Sequence, residues 1–476
     1  MSMSIAAREG AFFGPKVIAA TFVLAVFGWG VGFYGPPVYL QSVVQRGAAD
    51  VAWASAAVTW HFVLGAFVVA NLPRLYRRVG VARVTVAGAV VLALGVYGWG
   101  IAATPAQLFL AASLSGAGWV TMGAAAVNAL IAPWYAARRP AALGMAYNGA
   151  SLGGVVFSPL WVLLIGGLGF AAAAAAVGVV MVAVMAGLAV SVFRHTPASK
   201  GQAADGASST VSRPGMKGGD VCSAATAAAV MSATVAATAT RSAGCAAVGA
   251  AVQADNASLP APVANVWRDR RFLTLCAGMA LGLFAQIGLI AHLYSLLVPV
   301  MGEKAAGVAM GFCTACAIAG RTVVGKVMPP GTDRRRVAAI AYGLQAAGVI
   351  ALLLSVWLAS SDAAIPSMTG STWVVALRWT GLLLFGSGIG NATSLPPLIA
   401  QTEFTRADAQ RVIPLIVAVS QGTYAFAPAL FGLLRDSGGP TWLFPAAAAV
   451  QLAAIAALLS YSRRPIWSRP AHSDDA

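Results

Sequence analysis

Long apolar runs recur along this chain at a length that fits a lipid bilayer. A helix rises about 1.5 Å per residue, so crossing a ~30 Å hydrocarbon core takes about 20 mostly apolar residues. Twelve segments qualify: 17–40, 51–73, 81–102, 106–132, 140–166, 169–193, 270–299, 305–328, 336–359, 373–400, 409–433 and 440–461. They predict an all-α integral membrane protein of twelve transmembrane helices.

Composition removes the soluble alternative. Only 9% of the 476 residues are charged and 59% are hydrophobic, whereas an ordinary soluble domain is roughly 25% charged. A soluble fold of this size could not cover its surface with so few charges. The net charge of +16 raises the question of nucleic acid, but its distribution answers it. A nucleic-acid binder gathers Lys and Arg on one face of a folded domain. Here they form short clusters between apolar runs, so no nucleic-acid partner is expected.

Those clusters set the orientation. Alternate loops carry Arg74, Arg77, Arg78 and Arg83; then Arg138 and Arg139; then Arg334 to Arg336; then Arg406 and Arg411, with Arg463, Arg464 and Arg469 at the end. The opposite loops hold only Arg46, Lys304 and Arg435. Basic loops stay cytoplasmic, so both termini are expected inside, in a cell inner (plasma) membrane. The run that follows Lys16 is longer than a signal-peptide core and has no clear cleavage site, so it reads as the first span.

Residues 194–269 break the apolar pattern with low-complexity Gly, Ser, Thr, Pro and Ala. The Ala-rich stretch 224–252 lacks Leu, Ile and Phe and is interrupted by Arg241, which argues against a thirteenth span. It reads as a mostly disordered cytoplasmic linker. The linker divides the chain into a six-helix bundle at 1–193 and another at 270–463, followed by a cytoplasmic tail at 464–476. The halves echo each other: basic clusters follow the second and eighth spans and the fourth and tenth. Ser158-Pro159 in the fifth span is matched by Pro428 in the eleventh. Two pseudo-symmetric six-helix bundles around a central cavity form a transporter architecture.

With this pattern in place, the chain resembles the major facilitator superfamily over nearly its whole length outside the linker. The segment Arg77-Arg78-Val79-Gly80-Val81-Ala82-Arg83 is similar to that family's gating loop between helices 2 and 3, of pattern D-R-x-G-x-[KR]-[KR]. Arg77 stands where the family carries an acid. Gly320-Arg321-Thr322-Val323-Val324-Gly325 and Gly32-Phe33-Tyr34-Gly35-Pro36 resemble segments of the monocarboxylate and oxalate carriers. In those relatives the helix 8 Arg binds substrate carboxylate, which implies that role for Arg321. The chain departs from that branch at Ala317, where animal carriers often have Asp.

Ionisable groups deep in the bilayer cost roughly 2.5–3.5 kcal/mol each and need a cavity or a partner. The sequence offers Arg321, His61, His292 and Arg378, and no mid-membrane Asp or Glu. Fixed cations without carboxylates favour an anion, and a guanidinium grips carboxylate through two parallel hydrogen bonds. The bland alternative for Arg321 is snorkelling to the interface; Arg378, beside Trp373 and Trp379, suits that alternative better. His61 and His292 titrate near neutral pH and are the only obvious proton carriers, although a neutral histidine bonded to a neighbouring helix is the commoner case. Tyr34, Asn148, Asn391, Gln421 and Tyr424 are the polar residues expected to line the cavity with Arg321.

Cys313 and Cys316 have CxxC spacing, but no His or second Cys pair accompanies them, so no metal or cofactor is expected. No nucleotide-binding Gly loop or catalytic triad is visible, and an enzyme is not expected. The expected function is secondary active transport of a small organic anion, in particular a carboxylate, by a monomer, with a proton as the candidate co-substrate. The alternatives are a proton-coupled exporter and a non-transporting membrane sensor. An exporter predicts a mid-membrane acid and a G-P-x-x-G pattern in the fifth span, and the chain has neither there.

Overall fold

The computed structural model describes residues 12–136, 138–206, 265–329, 332–361 and 372–461. The linker stretch 224–252 with Arg241, and the tail at 464–476, lie outside the described residues.

Twelve helices are long and apolar enough to cross a membrane. They are α1 Gly14–Gln45, α2 Val51–Val79, α3 Val81–Ile101, α4 Pro105–Ile131, α5 Ala141–Leu168 and α6 Phe170–Phe193 in the first half. The second half holds α7 Arg270–Met301, α8 Glu303–Val327, α9 Arg334–Ala359, α10 Thr372–Glu403, α11 Ala407–Gly438 and α12 Pro440–Leu459. Among the described residues there is no strand.

Local chemistry starts and stops these helices. Asp50 and Asp269 cap α2 and α7 by accepting from the N–H groups of Trp53 and Arg271, each at 2.8 Å. Thr405 caps the eleventh helix in the same way, accepting from Asp408 N–H at 3.1 Å. Each cap satisfies a donor that the first helical turn leaves unpaired. Gly80, the single residue between α2 and α3, has φ +88°. Only glycine adopts that conformation freely, so α3 can reverse direction after one residue.

Three helices are broken near mid-span. α1 consists of Gly14–Gly32 and Pro36–Gln45, and α4 of Pro105–Val120 and Ala124–Ile131. α11 consists of Arg406–Tyr424 and Ala427–Gly438. In α1 the cause is direct, because Pro36 and Pro37 have no N–H to donate to the carbonyls of the preceding turn.

The halves meet at the end of the bundle that holds the α1–α2 and α7–α8 turns. Gln45 Nε2 donates to Glu303 Oε1 at 3.1 Å, and the Ala429 N–H donates to Thr59 Oγ1 at 2.9 Å. α5 packs on α8, α2 on the second part of α11, and the second part of α1 on α7. The basic clusters lie at the opposite end, because consecutive spans alternate in direction.

The start of the central segment is ordered against the first half. The Asp205 carboxylate accepts from the N–H groups of Ala136 and Arg138 at 3.1 and 3.2 Å, and Gln202 Oε1 accepts from Phe13 N–H at 2.9 Å. Residues 194–206 therefore strap the α4–α5 turn to the start of α1, and the first bundle extends past residue 193.

Candidate substrate cavity

A cavity of about 220 Å³ lies between the halves at the level of the three helix breaks. Phe33 and Tyr34 come from the break in α1, Gly123 from the break in α4, and Ala425 from the break in α11. Broken helices at mid-membrane are where transporters place their binding sites, because irregular backbone is tolerated there only if it lines a cavity. The halves are joined at the far end, so the way out of the cavity is toward the basic end.

The wall is divided by chemistry. The first half supplies aromatic rings: Trp29, Phe33, Phe62, Trp119 and Tyr147, together with Tyr34. Trp29 meets Trp119 edge-on at 5.8 Å and Tyr147 edge-on at 6.0 Å. The second half supplies most of the polar groups, Gln286, Arg321, Thr393, Gln421 and Tyr424, and the first half adds Ser151. Among the described residues, Arg321 is the only charged side chain on the wall.

Arg321 is held in place by close packing. A Cβ on Gly390 would lie 3.1 Å from both Cβ and Nε of Arg321 and would collide with the Ala317 carbonyl. Only glycine at this position lets the Arg321 side chain pass across α10 into the cavity. Its Nε is buried and has no hydrogen-bond partner. A buried unpaired donor costs free energy, so the guanidinium is set to gain from an arriving acceptor. Gln286 Oε1 on the same wall is likewise buried and unpartnered.

Four of the polar residues expected from the sequence therefore meet around one cavity: Arg321, Tyr34, Gln421 and Tyr424. Two expected lining residues lie elsewhere, and helix geometry gives the reason. Successive residues turn by about 100° around a helix axis, so positions i, i+3 and i+4 share a face. In α5 that face is Tyr147, Ala150 and Ser151, and Asn148 is turned out and exposed. In α10 it is Ile389, Gly390 and Thr393, and Asn391 points into a small void beside Met279, Ala338 and Tyr342.

The two histidines are also off the cavity wall. His61 is buried, with Nδ1 2.8 Å from Ser115 Oγ and Nε2 3.0 Å from the Gly32 carbonyl. That carbonyl belongs to the turn that Pro36 deprives of a donor, so His61 supplies the missing hydrogen bond. His292 is buried with Nε2 3.1 Å from the Pro428 carbonyl, tying α7 to the second part of α11. Arg378 is buried and donates from Nη1 to the Val300 carbonyl at 2.9 Å, at the end of α7. It caps that helix and does not snorkel to an interface. In the gating-loop segment, Arg77, Arg78, Gly80 and Arg83 are all exposed.

The aromatic wall was not anticipated from the sequence. The available signal was Trp29 and Trp119, each near the middle of its span, whereas membrane tryptophans usually gather at the interfaces.

The comparisons with known proteins agree with this architecture. The model of the Major Facilitator Superfamily matches residues 17–415. A solved structure described as the nucleoside transporter NupG superimposes with a TM-score of 0.59 at 11% identity. The superposition covers 93% of this chain and 99% of that one; at that identity the likeness concerns the fold alone. No curated protein sequence matches the chain significantly. With twelve spans, a mid-membrane cavity between two halves and a family match over most of its length, the chain belongs to the major facilitator superfamily and is a secondary transporter, not an enzyme.

Proposed function

We propose that the transported solute is a small organic anion, a carboxylate, held by Arg321 while the two halves rock about the cavity. The observation that carries this reading is the cavity's charge. Arg321 brings a permanent cation with an unpaired buried Nε, and no carboxylate lines the wall among the described residues. A carboxylate fits the guanidinium fork and supplies the acceptors it lacks. Because basic loops favour the cytoplasm, the joined end faces outward and the arrangement is the inward-open one. The membrane is then a cell membrane, with both termini inside.

Proton coupling through His61 or His292 has weaker support. Each ring is sealed in contacts within its own half and is off the cavity wall. Exchange or uniport of the anion is the simpler reading. A neutral ring-bearing solute, such as the nucleoside named for the structural relative, would suit the aromatic wall. It would leave the Arg321 cation without a counter-charge.

The test is uptake of labelled mono- and dicarboxylates into liposomes holding the purified full chain, with and without a pH gradient. Carboxylate uptake that falls at least about tenfold in Arg321→Ala, and is kept in part by Arg321→Lys, supports the reading. Uptake unchanged in Arg321→Ala overturns it. Loss of only the gradient-driven component in His292→Ala would restore the proton-coupled reading.

A further inference from the structure

We infer that the substrate is an aromatic monocarboxylate, its carboxylate on Arg321 of the second half and its ring on the Trp29–Trp119 wall of the first. This rests on the anion reading above and narrows it.

The cavity's two faces ask for two different ends of one molecule. Arg321 is a single fixed cation, and no second basic side chain lines the wall among the described residues. One carboxylate is matched and a second has no partner, so a dicarboxylate would leave a buried charge unpaired. The facing wall is not merely apolar. Its rings form a connected series: Tyr147 to Trp29 at 6.0 Å, Trp29 to Trp119 at 5.8 Å, and Phe33 to Phe62 at 5.9 Å, all edge-on. Phe33 also meets Trp119 at 6.2 Å. His61 stacks on Trp119 at 6.3 Å, but Trp29, Trp119, Phe33, Phe62 and Tyr147 all still line the cavity, so the wall offers aromatic surface to a further ring. Rings prefer offset-stacked or edge-on contact with other rings, worth about 0.5–1.5 kcal/mol beyond the area buried. An alkyl chain would fill the same space without that term.

Size narrows the class further. At about 220 Å³ the cavity is smaller than the roughly 300–1,000 Å³ typical of drug-sized ligands. One or two rings bearing one acid fit that space, whereas a short aliphatic acid would leave most of the aromatic wall uncovered. The placement also suits alternating access. Cation and rings belong to different halves, so a molecule bearing one acid and one ring bridges the halves.

The full chain in liposomes would be offered labelled benzoate and indole-3-acetate, with lactate, oxalate and octanoate as controls. Binding of benzoate and lactate to the wild-type protein in detergent, by calorimetry, adds a readout independent of any variant. Aromatic acids are expected to bind and move at least about tenfold better than lactate, oxalate or octanoate. The benefit should fall about tenfold in Trp119→Leu and return in Trp119→Phe, since about 1.4 kcal/mol is a factor of ten. If lactate, oxalate or octanoate is moved as well as benzoate and the uptake depends on Arg321, the aromatic inference is overturned and the anion reading stands. If no carboxylate is bound or moved, or if neutral ring compounds are moved equally well by Arg321→Ala, both readings fall.

Discussion

The two halves carry similar basic clusters at the same end of the bundle, and the clusters meet opposite fates. In the second half, Arg335 is 1% exposed and clasps Glu403 through two bonds, Nε to Oε1 at 2.5 Å and Nη2 to Oε2 at 2.8 Å. It also donates to Thr274 Oγ1 at 2.9 Å, to the Arg271 carbonyl at 2.8 Å and to the Leu458 carbonyl at 3.3 Å, so one side chain joins α7, α9, α10 and α12. In the first half, Arg77, Arg78 and Arg83 are exposed and make no hydrogen bond or ion pair among the described residues. The difference lies in the neighbours. α10 ends on Glu403, whereas the end of α4 and the turn after it, residues 131–136, offer no carboxylate. The first half takes its acid from beyond its last span, where Asp205 holds the α4–α5 turn. A basic cluster in a membrane protein thus becomes a structural clamp only where an adjacent helix brings an acid to it.

Removing one arginine from each half should have unequal consequences. Arg335→Ala leaves Glu403 and three oxygen acceptors without their donor and should destabilise the second half by about 3–5 kcal/mol, as for a broken buried pair. Arg78→Ala should stay within about 0.5 kcal/mol, as for an ordinary surface position. Thermal unfolding of the two proteins in detergent reads the contrast, and equal shifts would erase it.

A second test concerns the cavity, where the halves differ as polar and aromatic faces. Gly390→Ala pushes a methyl group against Arg321 and should lower anion uptake at least about tenfold. Arg194→Ala, at the exposed end of the other half's last span, should leave uptake unchanged. Uptake by both variants, with elution as a monodisperse species as the folding check, separates a lost anchor from a lost fold.

A smaller effect is expected from Asp205→Ala. Two backbone donors lose their acceptor at a largely exposed site, and about 1–2 kcal/mol is at stake at the usual 0.5–1.5 kcal/mol per hydrogen bond. The readout is limited proteolysis: cleavage in 194–206 should speed up while cleavage elsewhere is unchanged. Unchanged cleavage would show that the strap does not depend on this carboxylate. The smallest effect belongs to replacing Arg77, Arg78 and Arg83 together with Gln. The melting temperature should move by only a degree or two, against the large shift from Arg335→Ala.

Helix number and their division into two halves were legible in the sequence because both follow from segment length and apolarity, which are properties of contiguous residues. The site was legible in part. Arg321 stood out because a charge within a span is expensive wherever the helix faces, so its presence alone carries information. Asn148 and Asn391 show the limit of that reasoning. A neutral polar residue costs little and can bond within its own helix, as Asn391 does to the Ser387 carbonyl at 3.2 Å, so its presence does not say which way it points.

What the sequence determined by itself is therefore what depends on counting along the chain: twelve spans, two halves, and a membrane interior with cations and no acids. What only the tertiary structure decided depends on rotation about helix axes and on which helices meet. That includes the turning of Asn148 and Asn391 away from the cavity, the use of His61 to serve the carbonyl that Pro36 leaves open, and the facing of an aromatic wall against Arg321. The physical reason is that a turn of about 100° per residue, set against neighbours hundreds of residues away, assigns each side chain to lipid, to packing or to the cavity.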